Sequence, residues 1–340
     1  MSRDFLHKWK TNDSNIGRMS LDLKVGVGGW LGTSIPTARA VSAQAVQAEA
    51  LGFHSFWLPE NHFVTGGSVP SPLLLLVAAA TQTNKLVLGT GAYLLPIRNP
   101  IEVAEEVAVL DQLSEGRIIL GVGRGYQKKT YAAYKTSVGE KRELFEDALN
   151  IMLGAWAGKP INTGYNLEDL AYLSPLPVQS PCPPIWVAAF GPKALKQAGR
   201  LGFPYLASPI ETLEALEVNY AVHRNAQESS TYGGSETRPI MRTVFISEKT
   251  SMLSRVREKL DAETRNRAGS PVLAIRDSAN SCSDDWALVG EPAEVEEKIF
   301  LYKERLGLTH LIATRTRLSY LTPGEAESSL HYLADIINKK

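Results

Sequence analysis

Length, composition and charge exclude several classes of protein. The chain has 340 residues with 36 basic and 36 acidic side chains, and this zero formal charge favours neither nucleic acid nor an anionic membrane as a partner. No apolar run reaches the ~20 residues that cross a bilayer, and the first residues lack a signal-peptide core, so we expect a cytoplasmic protein. Cys182 and Cys282 stand alone in the sequence, which predicts a reducing compartment and no metal site.

Short apolar stretches alternate with longer stretches of helical periodicity from residue 21 onwards. The short stretches predict strands at residues 21–27, 53–58, 85–92, 118–122, 185–189, 205–207, 240–246 and 310–314. The longer stretches predict helices at residues 37–51, 72–83, 101–113, 140–156, 193–201, 212–226, 251–264, 293–306 and 324–339. Two segments show neither period: residues 158–183, rich in proline and glycine, and the polar residues 266–286.

Buried strands that alternate with covering helices predict a parallel sheet. Eight such units without a change of composition predict a single α/β domain, a (β/α)8 TIM barrel over residues 21–340, after a flexible arm over residues 1–20. Residues 266–286 are interpreted as an insertion late in the barrel, and loops of that length are usually functional or disordered. In such barrels the functional residues collect at the carboxyl ends of the strands.

Five stretches of sequence share their residues and their order along the chain with one protein family. They are residues 52–63 (GFHSFWLPENHF), 110–117 (LDQLSEGR), 121–125 (GVGRG), 184–189 (PIWVAA) and 289–295 (VGEPAEV). Together they resemble the bacterial luciferase-like flavin-dependent monooxygenases, over nearly the whole chain. The resemblance implies an oxidoreductase that uses reduced FMN and O2 to oxygenate a small organic substrate. It also implies that residues 266–286 are a lid that covers the site, and that a separate flavin reductase is a partner. We expect a homo-oligomer.

His62 is the first candidate catalytic residue. It follows a strand that ends near Leu58 and so lies on the catalytic face of a barrel, where an imidazole can shuttle a proton near neutral pH. A loop histidine bonded to backbone is the structural alternative. Luciferases carry two adjacent histidines in this loop, and the resemblance makes Asn61 the counterpart of the first, which argues against a luciferase proper. We keep Asn61 as a catalytic candidate because its amide still donates and accepts hydrogen bonds; Glu60 is either a base or a structural carboxylate.

The turns after the third and fourth strands are candidate cofactor sites. Thr90, Gly91 and Ala92 end the third strand, and the resemblance implies a non-proline cis peptide bond at Gly91-Ala92, behind the flavin ring. Gly123 replaces a cysteine that luciferases carry. Arg124 suits a phosphate, because a guanidinium forms paired hydrogen bonds with its oxygens, and the family has an arginine here against the FMN phosphate. A simple β-turn glycine and a structural ion pair are the respective alternatives.

The turn after the fifth strand is a second candidate phosphate site. Ala189, Phe190 and Gly191 lead from that strand into a helix, whose unpaired N–H groups and positive dipole attract an anion. The family often has hydroxyl side chains at this turn. Because this chain has none there, we expect its phosphate contacts to come mostly from backbone N–H groups, with Lys193 adding positive charge.

Two other functions remain open on the same residues. A deazaflavin coenzyme in place of FMN would make the protein an oxidoreductase that transfers hydride without oxygen, and the pocket residues do not separate the two. A non-catalytic flavin-binding protein is the third hypothesis, because the first loop histidine and the cysteine of luciferases are both absent.

Overall fold

Strands and α-helices alternate along the described chain. The structure is a computed structural model that describes residues 23–29, 37–64, 68–161, 170–230, 234–270 and 273–339. The strands are β1 (Lys24–Gly28), β2 (Ser55–Leu58), β3 (Val87–Thr90), β4 (Tyr93–Leu94), β5 (Ile118–Gly123), β6 (Ile185–Ala188), β7 (Tyr205–Leu206), β8 (Pro239–Ile246), β9 (Leu288–Gly290) and β10 (His310–Thr314). The α-helices are α1 (Ala38–Ala50), α2 (Pro72–Ala80), α3 (Pro100–Leu113), α4 (Lys128–Ala133), α5 (Lys141–Trp156), α6 (Pro192–Arg200), α7 (Leu213–Gln227), α8 (Thr250–Asn266), α9 (Leu273–Asp277), α10 (Pro292–Leu306) and α11 (Pro323–Asn338). No helix within these ranges is long and apolar enough to cross a membrane.

The strands form one parallel sheet, which confirms the prediction from their alternation with helices. Their order is β7-β6-β5-β3-β2-β1-β10-β8-β9, and β4 pairs with β5. The β7 end of this order curls back to β8, because Ala207 forms a parallel bridge with Ile240. The Ala207 N–H donates to the carbonyl of Pro239 at 3.3 Å, and the Met241 N–H donates to the carbonyl of Ala207 at 3.2 Å. The sheet is therefore curled, with the carboxyl ends of its strands at one end.

Each predicted strand and long helix is present close to its predicted position. Thr37 caps α1 by accepting a hydrogen bond from the Ala40 N–H at 3.2 Å, and Gly52 follows the helix with φ +81°. The first strand begins at Lys24 instead of residue 21. Residues 21 and 22, like the predicted arm over residues 1–20, lie outside the described residues.

Four short elements were not predicted, namely β4, α4, α9 and β9. They have between two and six residues each, too few to display a hydrophobic period. The expectation that residues 266–286 are irregular is wrong in part, since this segment contains α9 and three 3-10 turns. Its last residue, Trp286, is fully buried and donates to the Thr264 hydroxyl at 3.2 Å, so the segment is anchored against α8. Its role as a lid stays a prediction.

Large side chains fill the interior of the curled sheet. This interior plug consists of Trp57, Ile119, Trp186, Leu206, Met241 and Ile312. Trp57 and Trp186 stack with their ring centroids 5.0 Å apart and their planes 21° from parallel. Successive strand residues point to opposite faces, so Phe56 and Leu58 pack outward against the helices while Trp57 points inward. The plug therefore forms a solid base beneath the carboxyl ends of the strands.

Close strand packing at Gly121 gives a stability prediction. A Cβ atom at Gly121 would lie 1.9 Å from the carbonyl oxygen of Thr90 and 3.3 Å from the side chain of Leu206. We expect Gly121→Ala to lower the free energy of unfolding by about 1–3 kcal/mol, the usual cost of overpacking, measured by urea denaturation. Gly234→Ala is the matched control, because a Cβ there has no atom of the described residues within 4 Å. Equal stability of the two variants would contradict this prediction.

Candidate active site

The carboxyl ends of four adjacent strands bring the predicted site residues to one edge of the sheet. Strand β2 pairs with β3, β3 pairs with β5, and β5 pairs with β6. Loops that leave these ends carry the candidate residues Asn61, His62, Gly91, Ala92, Arg124, Ala189, Phe190 and Gly191, while Thr90 and Gly123 are the last residues of β3 and β5. Residues that are distant in sequence are thus neighbours, as the barrel prediction requires.

Small residues lie directly above the plug at this edge. A Cβ atom on Gly91 would be 3.2 Å from the sulfur of Met241, and one on Gly123 would be 3.3 Å from the Ala92 methyl and 3.7 Å from the Ala188 methyl. Successive strand ends therefore bring backbone and methyl groups together, instead of long side chains. Such a surface allows a flat ring to approach the backbone closely.

The peptide bond between Gly91 and Ala92 is cis, as the family resemblance implied. Thr90, just before it, is buried, and its hydroxyl donates to the carbonyl of Gly121 at 2.8 Å. The hydroxyl of Thr90 thus links β3 to β5. Thr90 contributes to the site by holding the end of β3 in place beside β5.

His62 is held in a network of hydrogen bonds. Its Nε2 lies 2.6 Å from the carboxylate of Glu60, and its Nδ1 lies 3.3 Å from the hydroxyl of Tyr134. Glu60 also accepts hydrogen bonds from Arg98 at 2.8 Å and from the Leu94 N–H at 2.9 Å. His62 is only 4% exposed, so its imidazole is not a surface group bonded to backbone. The structural alternative fits Glu60, because its side chain is completely buried and links the loop after β2 to the end of β4.

Asn61 has a different environment from His62. Its backbone N–H donates to the carbonyl of Val69 at 3.1 Å, and its side-chain oxygen accepts from the Val69 N–H at 2.8 Å. These two bonds close the loop between β2 and α2. The contacts of Asn61 thus support a loop-closing role, and its catalytic role stays a prediction that these contacts do not favour.

Arg124 is buried at the end of β5. Its Nη1 donates to the side-chain oxygen of Gln197 at 2.6 Å, and its Nη2 donates to the carbonyl of Ala188 at 3.0 Å. The guanidinium carbon lies 5.0 Å from the centre of the Phe145 ring. The partners are an amide and a carbonyl, so these contacts are not the structural ion pair that was the alternative for Arg124. The positive charge has no carboxylate among these contacts.

Positive charge accumulates around Arg124. Burial, reinforced by the neighbouring charge of Arg142, lowers the pKa of Arg124 to about 10. Burial also lowers the pKa of Lys141, with further contributions from Arg142 and Arg124. A low pKa of a cation means that its charged form is disfavoured, so a bound anion would stabilise the charged forms of Arg124 and Lys141. This corner of the site is therefore suited to a phosphate.

The loop after β6 borders the same corner. Ala189 is buried and Phe190 is half-buried. Gly191 has φ +82°, which favours glycine, and it is the N-cap of α6. A Cβ atom at Gly191 would meet nothing within 4 Å of the described residues, so the space beside this helix N-terminus is open. Gln197 on α6 connects the helix to Arg124.

Sequence analysis missed several residues of this site, notably Arg98, Tyr134 and Gln197. Each is 38 to 73 residues away from its partner in the chain. Arg98 and Tyr134 lie outside the strand ends, and Gln197 lies within a helix, so no motif marked them. Only the concentration of Lys141 and Arg142 at the start of a predicted helix could have indicated extra positive charge.

Known proteins that resemble this chain share its fold and part of its sequence. A family model described as luciferase-like monooxygenase matches residues 19–310. An uncharacterised protein of Sinorhizobium fredii is 30% identical over 62% of this chain and 60% of its own length. An F420-dependent glucose-6-phosphate dehydrogenase of Kineococcus radiotolerans is 29% identical over 86% of this chain and 90% of its own length. The oxygenase component of a flavin-dependent trigonelline monooxygenase of Acinetobacter baylyi is 31% identical, and the chain spans only 46% of that relative.

A solved structure gives a likeness of fold alone. The oxygenating constituent of the 3,6-diketocamphane monooxygenase of Pseudomonas putida, in complex with FMN, superimposes with a TM-score of 0.76 at 22% identity. The superposition covers 93% of this chain and 97% of that one. The curled parallel sheet and its helices thus follow the architecture of that protein.

Proposed function

This chain belongs to the luciferase-like monooxygenase family, and we propose that it is a flavin-dependent monooxygenase that uses reduced FMN and O2 to oxygenate a small organic substrate. The family and its relatives make it an oxidoreductase. When bound, reduced FMN would supply the electrons that activate O2. One observation carries the proposal: the surface of small residues above the interior plug lies beside the buried, positively charged corner around Arg124.

The architecture we propose is a single closed (β/α)8 barrel over residues 21–340. The order of the sheet supports closure, because the bridge between Ala207 and Ile240 joins β7 to β8. Without β4 and β9, eight parallel strands then form a ring with the plug inside it. The carboxyl ends of the ring form the mouth of the barrel, which is where such folds carry their active sites.

The surface formed by Gly91, Ala92 and Gly123 is the proposed position of the flavin ring. Backbone and methyl groups leave room for an aromatic system to lie flat, while the stacked tryptophans below prevent it from sinking into the barrel. Gly123 is buried and Gly91 and Ala92 are half-buried, so a ring bound here would displace water, which protects reactive species from side reactions. The protein's share of the chemistry is thus to orient the ring and keep it dry.

The basic corner, formed by Arg124, Lys141 and Arg142, is the proposed position of the FMN phosphate. Arg124 would provide a charge-assisted hydrogen bond, and the N-terminus of α6 at Gly191 would provide backbone N–H groups and the positive end of the helix dipole. Lys141 and Arg142 add longer-range attraction. A phosphate bound here would reduce the electrostatic repulsion among these three cations.

His62 is the proposed residue that holds or moves a proton during turnover. It stands on the loop after β2, next to the strand end that carries Gly91 and Ala92. The Glu60 carboxylate orients the imidazole, an arrangement that recurs where histidine acts as a general acid or base. A separate flavin reductase is the proposed supplier of reduced cofactor, in line with the name of the Acinetobacter relative as an oxygenase component.

A deazaflavin-dependent oxidoreductase is the second candidate function. The F420-dependent relative aligns over more of this chain than the flavin-dependent relative does, 86% against 48%. The small-residue surface accepts either ring, and the basic corner accepts a phosphate of either cofactor. The choice between the two cofactors therefore depends on a binding measurement.

Cofactor binding and oxygen consumption test the proposed function. We expect the purified protein to bind FMN in fluorescence titrations and to consume O2 in a substrate-dependent reaction when a flavin reductase and NADH are supplied. The control is the reductase with FMN but without this protein. Tight binding of coenzyme F420, with no binding of FMN in either redox state, would transfer the assignment to the second candidate.

A further inference from the structure

Three side chains form a continuous hydrogen-bonded chain that leads away from the proposed cofactor site. Glu60 is fixed by Arg98 and by the Leu94 N–H, and it lies 2.6 Å from Nε2 of His62. This short separation assigns the imidazole proton to Nε2, because a carboxylate only accepts. The lone pair of Nδ1 then faces the Tyr134 hydroxyl, 3.3 Å away, as its acceptor.

Both ring nitrogens of His62 are therefore engaged, and Tyr134 is the exposed end of the chain. Tyr134 is 40% exposed, whereas His62 is 4% exposed. A buried histidine whose two ring nitrogens are both bonded to protein groups exchanges protons with solvent slowly, unless a neighbouring group transfers them. Tyr134 is the neighbour in a position to do so, since its hydroxyl can donate one proton and accept another.

Tyr134 also lines a side pocket of about 250 Å³. The walls of this side pocket include Tyr93, Arg98, Glu102 and Glu106 as well. None of the candidate cofactor residues lines it, so the side pocket is distinct from the small-residue surface at the mouth. Its volume is several times that of a water molecule, and polar groups surround it, so it can hold solvent.

We infer that Tyr134 is a positioning residue that acts through His62, as the proton relay between the His62-Glu60 pair and the side pocket. The inference rests on the proposed function of His62. In one passage, the Nε2 proton of His62 moves to the Glu60 carboxylate, from which it leaves to the reaction. The hydroxyl proton of Tyr134 moves to Nδ1 of His62, which ends as the Nδ1–H tautomer, and a solvent proton from the side pocket replaces it on the Tyr134 oxygen. Proton number and charge balance, and no oxidant or reductant is needed.

Such a relay solves a physical problem of the proposed reaction. A bound cofactor would exclude bulk water from the mouth, but one oxygen atom of O2 leaves as water in the proposed reaction, and the proton that it takes up must reach the site. A path that enters from the side, past Tyr134, keeps the ring surface dry while protons pass. The carboxylates of Glu102 and Glu106 at the side pocket would attract protons to its entrance.

The first test uses the apoprotein and needs no cofactor. In protein labelled with 15N-histidine, His62→Asn identifies the ring-nitrogen signals of His62 by their loss. We expect Tyr134→Phe to shift the Nδ1 signal of His62, because the hydroxyl donor is removed. Tyr172→Phe is the matched control, since Tyr172 is 56% exposed and belongs to neither the site nor the side pocket. Unchanged His62 signals in Tyr134→Phe would overturn the inference.

The second test measures turnover with the cofactor that the wild-type protein binds. We expect Tyr134→Phe to lower kcat roughly 10-fold, less than the ~10²-fold minimum for losing a general acid or base itself, with the KM for cofactor unchanged. We also expect a larger solvent isotope effect on kcat, which a purely structural role would not produce. A raised KM with unchanged kcat and isotope effect would overturn the relay.

The two tests separate failure of the relay from failure of the proposed function. If the wild-type protein works with F420 instead of FMN, the same variants are compared with that coenzyme, and the isotope effect still reports on the relay. If the wild-type protein neither binds nor turns over either cofactor, the proposed function fails and the relay falls with it.

Discussion

Replacing His62 by alanine is expected to lower turnover by roughly 10²–10⁴-fold, the range for loss of a general acid or base. The affinity for flavin should change far less, because the proposed phosphate and ring contacts lie on other loops. The reason for the asymmetry is geometric: His62 is bonded to Glu60 and Tyr134, and none of these contacts involves the basic corner around Arg124. The measurement is kcat at saturating reduced cofactor, together with the cofactor affinity from titration.

A matched control is available for the His62 variant. His331 is exposed on α11, far in sequence from the loops of the site, and His331→Ala should leave both quantities unchanged. Thermal unfolding of each variant checks the fold, since loss of His62 removes one partner of the buried Glu60, which Arg98 and Leu94 still satisfy. If His62→Ala binds flavin poorly but turns over normally once saturated, His62 is a binding residue and the proposed role is wrong.

The sequence predicted the frame of the site because the frame depends on local patterns. Buried strands and amphipathic helices are recognised by their periodicity, and the pairing of parallel strands places their carboxyl ends at the same end of the sheet. The cis peptide bond at Gly91-Ala92 was implied by the family resemblance and not by local patterns, and the structure contains it. The position of Arg124 directly after β5 was likewise predicted, because it follows a buried strand; its burial was not predicted.

The partners within the site depend on long-range packing, which no single stretch of sequence encodes. The bond between Arg124 and Gln197 joins residues 73 positions apart, and the contact between His62 and Tyr134 joins residues 72 positions apart. Asn61 shows that the partners of a predicted site residue can also be local and structural. Its amide suggested a catalytic hydrogen bond, but the bulk of its bonding closes a loop with Val69, eight residues away.

Replacing Arg124 by alanine is expected to weaken FMN binding by about 1.5–3 kcal/mol, the contribution of a hydrogen bond to a charged group, or roughly 10- to 150-fold in Kd. The effect should be specific to the phosphate. Riboflavin has the same ring without the phosphate, so its affinity should be nearly unaffected by Arg124→Ala. Arg224→Ala, on the exposed face of α7, is the matched control and should bind both ligands normally.

The environment of Arg124 determines how this experiment is interpreted. Loss of the guanidinium leaves the buried Gln197 oxygen without its 2.6 Å donor, so some loss of stability will accompany any loss of affinity. A general loosening of the site would weaken riboflavin and FMN alike, whereas loss of a phosphate contact weakens FMN alone. The FMN affinity of Arg124→Lys should lie between those of the wild type and Arg124→Ala, because lysine keeps the charge but not the paired geometry of a guanidinium. Equal affinity of wild type and Arg124→Ala for FMN would reject the phosphate site at this corner, and a bound phosphate would then no longer explain the positive charge that accumulates around Arg124.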